Sequence, residues 1–161
     1  MFSETVFVGA EAESEKFKVT GGIMTGEIWV ASKSIIIVNK KVLLIQRSKN
    51  AGGGEYDWEI PGGGLKFGED LLVGLCREIK EETGLSVRVD RLLYAMTALV
   101  SPQRQIVGLT YLSYADADKI TLSHEHIDYL WATRKQLVEM LNKPMLNDFN
   151  KHSILDILDI D

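Results

Sequence analysis

Arg77 is followed within six positions by Glu78, Glu81 and Glu82, and a fourth acid, Glu69, lies eight residues before it. Residues 70–83 place Leu72, Leu75, Cys76 and Ile79 along one helical face, with Gly84 as a stop, so the spacing predicts a helix there. At 100° per residue Glu78, Glu81 and Glu82 fall within an arc of about 100° at the edge of that apolar stripe. Like charges this close cost roughly a few tenths of a kcal/mol per pair and raise one another's pKa unless a cation is present. Hard oxygen donors of this kind suit Mg²⁺ or Mn²⁺, and Mg²⁺ keeps several waters and adds substrate phosphates to its shell. A single glutamate on a helix is ordinarily a solvated surface residue. Three at this spacing, behind a Gly-rich turn and beside Arg77, favour a metal site. Cys76 and Ile79 lie on the apolar stripe and are read as core packing.

From Gly63 the chain runs through five residues to Glu69, through seven more to Arg77, and then Glu78, Ile79, Lys80, Glu81, Glu82, Thr83, Gly84 and Leu85. This resembles the Nudix box at every defined position, and average residue usage puts a chance match in such a chain on the order of one in ten million. Trp58, Glu59, Ile60, Pro61, Gly62 and Gly63 resemble the segment that precedes the box. The resemblance implies an α/β/α sandwich with a mixed β-sheet between helices. It implies a divalent-metal-dependent hydrolase that cleaves a diphosphate bond in a nucleotide-type substrate by attack of water on phosphorus.

The same resemblance implies roles for individual residues. Glu78 and Glu82 would be the principal ligands of Mg²⁺ (or Mn²⁺), joined by the backbone carbonyl of Gly62, where close approach leaves no room for a side chain. Glu81 would be a further ligand or the base that activates water, Glu69 would support the metal or its water, and Arg77 would orient a glutamate. In several branches the base or an extra ligand comes from a later loop, and His124, Glu125 and His126 followed by Trp131 resemble it, which makes Glu125 the alternative base. His124 and His126 lack the His-Glu-x-x-His spacing and a nearby cysteine, so they are read as surface or substrate-edge residues. Two other classes compete: a Nudix-fold nucleotide-binding module without activity, and an isomerase of isoprenoid diphosphates. The first would be expected to have lost box acids, and the second would need a reactive cysteine where Cys76 instead lies in the helix stripe.

The elements that must position these residues can be read along the chain. Residues 28–38 and 42–46 are rich in Ile, Val and Leu and flank Asn39, Lys40 and Lys41, which predicts a β-hairpin leading into the Gly-rich stretch 52–64. Past the helix, 87–89, 92–100 and 106–115 read as strands, with 101–105, including Pro102, as a turn. Thr133 with Gln136 matches a capping box ahead of Leu137, Met140 and Leu141. Lys143 and Pro144 are expected to close that helix, and a last helical segment is expected around 149–158. This order suits a mixed sheet between helices and not an all-parallel doubly wound one. Arg47, Tyr56, Trp58, Arg104 and Tyr111 offer guanidinium forks for phosphate and rings for a base, and none of them specifies a substrate.

The 161 residues suit one domain, 1–161, with 1–26 as an N-terminal extension packed on it. An apolar fraction of 45% and a charged fraction of 25% exclude a disordered or fibrous class. A formal net charge of −5 supplies no overall basic field for polymeric nucleic acid, so the expected partner is a small nucleotide-type diphosphate held through a local cation. Cys76 is the one cysteine, which rules out an intrachain disulfide. Residues 1–16 carry Glu4, Glu11, Glu13 and Glu15 and do not read as a secretory signal, and no apolar run approaches the roughly 20 residues that span a bilayer. The expected location is the cytoplasm with no membrane partner, and the choice between monomer and homodimer stays open.

Overall fold

A computed structural model of the chain describes residues 26–49 and 57–161. The first strand, β1 (Glu27–Val38), turns through Asn39 and Lys40, both at positive φ (48° and 60°), into β2 (Lys41–Arg47). Two successive left-handed residues give the turn whose twist matches that of the flanking strands. There follow β3 (Trp58–Glu59), β4 (Gly62–Gly64), α1 (Leu71–Thr83), β5 (Arg88–Ser101), β6 (Arg104–Tyr114) and β7 (His126–Ala132). Three short helices end the chain: α2 (Arg134–Met140), α3 (Lys143–Lys151) and α4 (Ile154–Ile157).

The strands form one sheet in the order β3-β2-β1-β6-β5, with β4 added against β1 and β7 against β2. Strands β1 and β6 run parallel from the Glu27–Arg104 pair to the Ile37–Tyr114 pair, whereas the other pairings are antiparallel, so the sheet is mixed. The runs Ile35–Ile36–Ile37 and Val42–Leu43–Leu44–Ile45 are buried throughout because both faces are covered. Ile35, Ile37, Val42 and Leu44 pack with Leu137, Leu141, Phe149 and Ile154 from the C-terminal helices. Ile36, Leu43 and Ile45 pack on the opposite side with Leu75 and Ile79 of α1 and with Leu85. The result is the expected α/β/α sandwich.

Helix α1 is held at both ends by its own sequence. Asp70 caps it by accepting from the backbone N–H groups of Leu72 and Val73, and Gly84 ends it at φ 74° while donating to the carbonyl of Lys80. Leu75 and Ile79 are fully buried, which anchors the helix by about 1.5–3 kcal/mol each and fixes which way its glutamates face.

Three parts of the fold depart from the sequence reading. The segments expected as separate strands at 87–89 and 92–100 are one strand, β5, whose register shifts at Val89/Arg91 and Leu92/Tyr94 absorb the charged interruption. Lys143 and Pro144 open α3 and do not close α2: Asn142 accepts from Met145 N–H, and a proline in the first turn sacrifices no helical hydrogen bond. Strand β7 was not anticipated, because its exposure follows no clean alternation and only its pairing with β2 defines it. Among the described residues no helix is long and apolar enough to cross a membrane. The expected packing of 1–26 lies, for 1–25, outside the described residues, as does Tyr56.

Candidate active site

The site is built where β4 lies between β1 and α1. Gly62, Gly63 and Gly64 pair with Lys33, Ser32 and Ala31. Gly62 sits at φ 128°, and a Cβ on it would come within 2.7 Å of Lys33 Cα. A Cβ on Gly63 would meet Glu78 Oε2 at 2.5 Å. The glycine strand therefore lets the carboxylates of α1 approach the backbone itself.

Arg77 organises one group of acids. Its Nε and Nη2 donate to the two oxygens of Glu69 at 2.7 and 2.9 Å, a bidentate fork, while Nη1 donates to Glu78 Oε1 at 2.7 Å and Glu81 Oε2 at 3.2 Å. Nη2 also reaches the carbonyl of Gly64 at 3.3 Å. These bonds from Arg77, with one from Lys66 N–H, hold the Glu69 carboxyl down to about 2, and the acids in turn raise the guanidinium above its ordinary value. Gly74 makes room for this arrangement, since a Cβ on it would lie 2.8 Å from Glu69 Oε2.

A second group is buried next to the first. Glu82 accepts at Oε2 from the N–H of Gly62 at 2.8 Å. Burial pushes its carboxyl up, only partly offset by Lys33, the Gly62 N–H and His126. Glu59, also buried, accepts from Lys33 Nζ at 2.5 Å and from Arg47 Nη1 at 2.8 Å. Burial alone would raise Glu59, but His126, Lys33 and Arg47 more than offset it and hold the group well below the usual carboxylate range. His126 Nε2 lies between the two acids, 3.6 Å from Glu59 Oε1 and 3.8 Å from Glu82 Oε1.

The structure thus brings together Gly62, Glu69, Arg77, Glu78, Glu81 and Glu82. Glu125 is exposed in the turn before β7, where its N–H donates to Ser123 Oγ and its carbonyl accepts from Ser48 N–H. Arg47 faces Glu59. Trp58 is half-buried against the core of the C-terminal helices. Arg104 sits over the Trp29 ring at 4.1 Å and beside Glu27, six residues and about 20 Å along β1 from Lys33. Tyr111 is buried with Leu75 and Ile79 and has no free face for a base. The His126 side chain is fully buried, which corrects the surface half of the sequence reading, whereas His124 is exposed.

Lys33, Glu59 and His126 were the residues missed as site components. Lys33 could have been noticed as a cation leading into an otherwise apolar strand, and Glu59 as the acid just ahead of the glycine strand. For His126 the sequence carries no signal of burial. A cavity of about 240 Å³ opens beside Lys33, with Tyr94, Met96 and Met145 as its larger apolar lining and Asn142 and Asp148 at its polar edge. A larger open depression of about 620 Å³ lies at the β1–β2 turn, lined by Lys40, Arg88 and Asp116 among others, away from the box acids.

Among the described residues no three His, Cys, Asp or Glu side chains converge as a closed metal cage, because Arg77 occupies the space between Glu78 and Glu81. The donor chemistry nevertheless fits a hard cation. All the donors are oxygens, they border a glycine backbone, and burial disfavours the charge on Glu82 until a cation offsets it.

A mixed sheet between helices sets an acid-rich helix against a glycine strand, so that carboxylates and backbone meet. The NUDIX domain family model matches residues 30–156, and the chain belongs to the Nudix family. It is 32% identical over 103 residues to a MutT-like protein of Streptomyces ambofaciens, covering 63% of this chain and 60% of that protein. Over 64 residues it is 44% identical to an ADP-ribose pyrophosphatase of Methanocaldococcus jannaschii, covering 40% of this chain and 37% of that one. The crystal structure of a MutT protein from Methanosarcina mazei Go1 superposes with a TM-score of 0.72 at 24% identity, over 82% of this chain and 97% of the other, a likeness of fold. The matches span between 20% and 60% of the length of the first curated relatives.

Proposed function

We propose that this chain is a Nudix pyrophosphohydrolase that uses Mg²⁺ or Mn²⁺ to cleave a diphosphate bond in a small nucleotide-type substrate. The observation that carries the reading is the meeting of α1 with the glycine strand: Glu82 Oε2 accepts from Gly62 N–H at 2.8 Å, and the Glu78 carboxylate lies so close to Gly63 that a Cβ there would have to displace it. Glu78, Glu82 and the Gly62 carbonyl would hold the cation, with Glu81 beside them. When bound, the metal supplies the positive charge that a diphosphate needs before water can attack it.

The chain's own residues have separate tasks in this scheme. Arg77 keeps Glu69, Glu78 and Glu81 in register by its fork of hydrogen bonds, and Glu69 serves as the anchor of that fork. Glu81, 56% exposed at the rim and bonded by Arg77 through Oε2, has its other oxygen to take a proton from the attacking water. Lys33 lies between the acids and the 240 Å³ cavity, whose apolar rings and thioethers suit a nucleobase and whose Asn142 and Asp148 offer hydrogen bonds to its edge. The ADP-ribose pyrophosphatase named above is one guide to the substrate class.

The test is a panel of nucleoside triphosphates, ADP-ribose, dinucleoside polyphosphates and nucleotide sugars, assayed for phosphate or nucleoside monophosphate release. Turnover of at least one class in Mg²⁺ or Mn²⁺, abolished by excess chelator, is expected. Nucleotide binding with no turnover of any of them would replace this reading with that of a binding module.

A further inference from the structure

The His126 ring is fully enclosed, and its Nε2 is the one buried side-chain polar atom without a hydrogen-bond partner among the described residues. Such an atom requires an explanation, since buried polar groups are nearly always paired. Its surroundings supply one. Nδ1 lies 3.2 Å from Ser123 Oγ, and that same hydroxyl oxygen accepts from Glu125 N–H at 3.3 Å. The serine proton is thereby free to point at Nδ1, which leaves the hydrogen of a neutral ring on Nε2, aimed at Glu59 and Glu82.

Among the described residues the two acids differ in the donors that hold them. Glu59 Oε1 is the nearer to Nε2, at 3.6 Å, but it already accepts from Arg47, and Glu59 Oε2 accepts from Lys33. Glu82 Oε2 accepts from Gly62 N–H, while Glu82 Oε1 faces His126 Nε2 at 3.8 Å. The turn that carries the histidine is fastened to the same residue by its backbone, for Ser123 N–H donates to the Glu82 carbonyl at 3.1 Å and Thr121 N–H to that of Thr83 at 2.9 Å. The turn and the carboxylate therefore move together, and closing the gap to hydrogen-bond length takes a shift of under about 1 Å.

We propose that His126 is a positioning residue for Glu82: held through Nδ1 by Ser123, its ring donates from Nε2 to Glu82 Oε1 and keeps that carboxylate turned toward the glycine strand. The inference rests on the reading of Glu82 as a metal ligand. It assigns β7 and the turn before it a task, that of supporting the ligand from behind through an outer hydrogen bond, an arrangement that sets metal affinity in many sites.

The experiment measures binding of Mn²⁺ alone, by calorimetry, to wild type, His126→Phe, His126→Gln and Ser123→Ala, alongside the melting temperature of each metal-free protein. His126→Phe keeps a ring but removes the donor, and it should weaken Mn²⁺ binding by about 10–100-fold. His126→Gln, whose amide nitrogen reaches the place of Nε2, should recover most of the loss, and Ser123→Ala should weaken binding in the same direction by less. For whichever substrate the panel identifies, kcat at saturating metal should fall with KM within about twofold, the pattern of a group that acts through the metal and not on the substrate. Wild-type Mn²⁺ affinity in His126→Phe overturns the inference alone, as does equal impairment in the Phe and Gln variants, which would mark a packing role. If His126→Phe does not fold, unchanged affinity in Ser123→Ala overturns it instead. A wild-type chain that binds no Mn²⁺ overturns both this inference and the reading of Glu82 beneath it.

Discussion

On the two sides of the glycine strand the same side chain meets opposite fates. At the rim, Glu69, Glu78 and Glu81 share one guanidinium, and the Glu69 carboxyl is held down to about 2 by the fork of Arg77. Inside, Glu59 and Glu82 compete for Lys33, Arg47 and His126. Glu59 secures both cations, whereas Glu82 is left with one backbone N–H and a raised pKa. Burial is alike for the two inner acids, so what separates them is which donors face each oxygen. Glu59 and Glu69 are acids whose charge the protein neutralises by itself. Glu82, and in part Glu78 and Glu81, have fewer donors of their own, and under the proposed function a bound cation would match the remaining charge.

The comparison breaks most sharply at Glu82. Glu82→Gln removes the unmatched charge and should lower kcat by about 10²–10³-fold, the scale found when a preorganised charge-stabilising group is lost. The folded pKa of Glu82 lies above its unfolded value, so its contribution to stability is present at low pH and lost as pH rises through the folded pKa. At neutral pH the metal-free Gln variant should therefore melt no lower than wild type. A melting temperature clearly below wild type would show Glu82 to be a structural acid like Glu59.

A smaller effect is expected at the centre of the rim group. Arg77→Lys keeps the charge but cannot reproduce a fork that reaches Glu69 by two nitrogens and Glu78 and Glu81 by a third. Turnover should fall by about 10–100-fold, with weaker Mn²⁺ binding measured on the same samples. Activity and affinity both within twofold of wild type would mean that the glutamates hold their positions without the arginine.

The smallest effect concerns the acids that are already matched. Glu59 and Glu69 both have folded pKa values below the ordinary 4.5, so the stability they add is present above that value and is lost as pH falls below it, for Glu69 over the range from 4.5 to about 2. Glu59→Gln should melt below wild type at pH 7, because Lys33 and Arg47 lose their counter-charge, and the gap should narrow between pH 5 and pH 3. A gap that stays constant across that range would remove Glu59 from the matched class.

What the sequence determined by itself was everything governed by local rules. The helix 70–83 was legible because its apolar period and the Gly84 stop act within a few residues of one another, and the β1–β2 hairpin and the Thr133–Gln136 capping box were legible for the same reason. The grouping of Glu69, Arg77, Glu78, Glu81 and Glu82 followed from helical spacing and the resemblance together. Pro144 misled because a proline reads alike after one helix and at the start of the next, and the Asn142 cap tips the balance only when α3 has a core to pack on. Only the tertiary structure decided the inner group. Lys33, Arg47, Glu59, Glu82 and His126 come from β1, β2, β3, α1 and β7, and the sheet order alone makes them neighbours. Whether a glutamate is neutralised or left charged depends on those non-local donors, and a charge balance set across five elements has no period for a sequence to display.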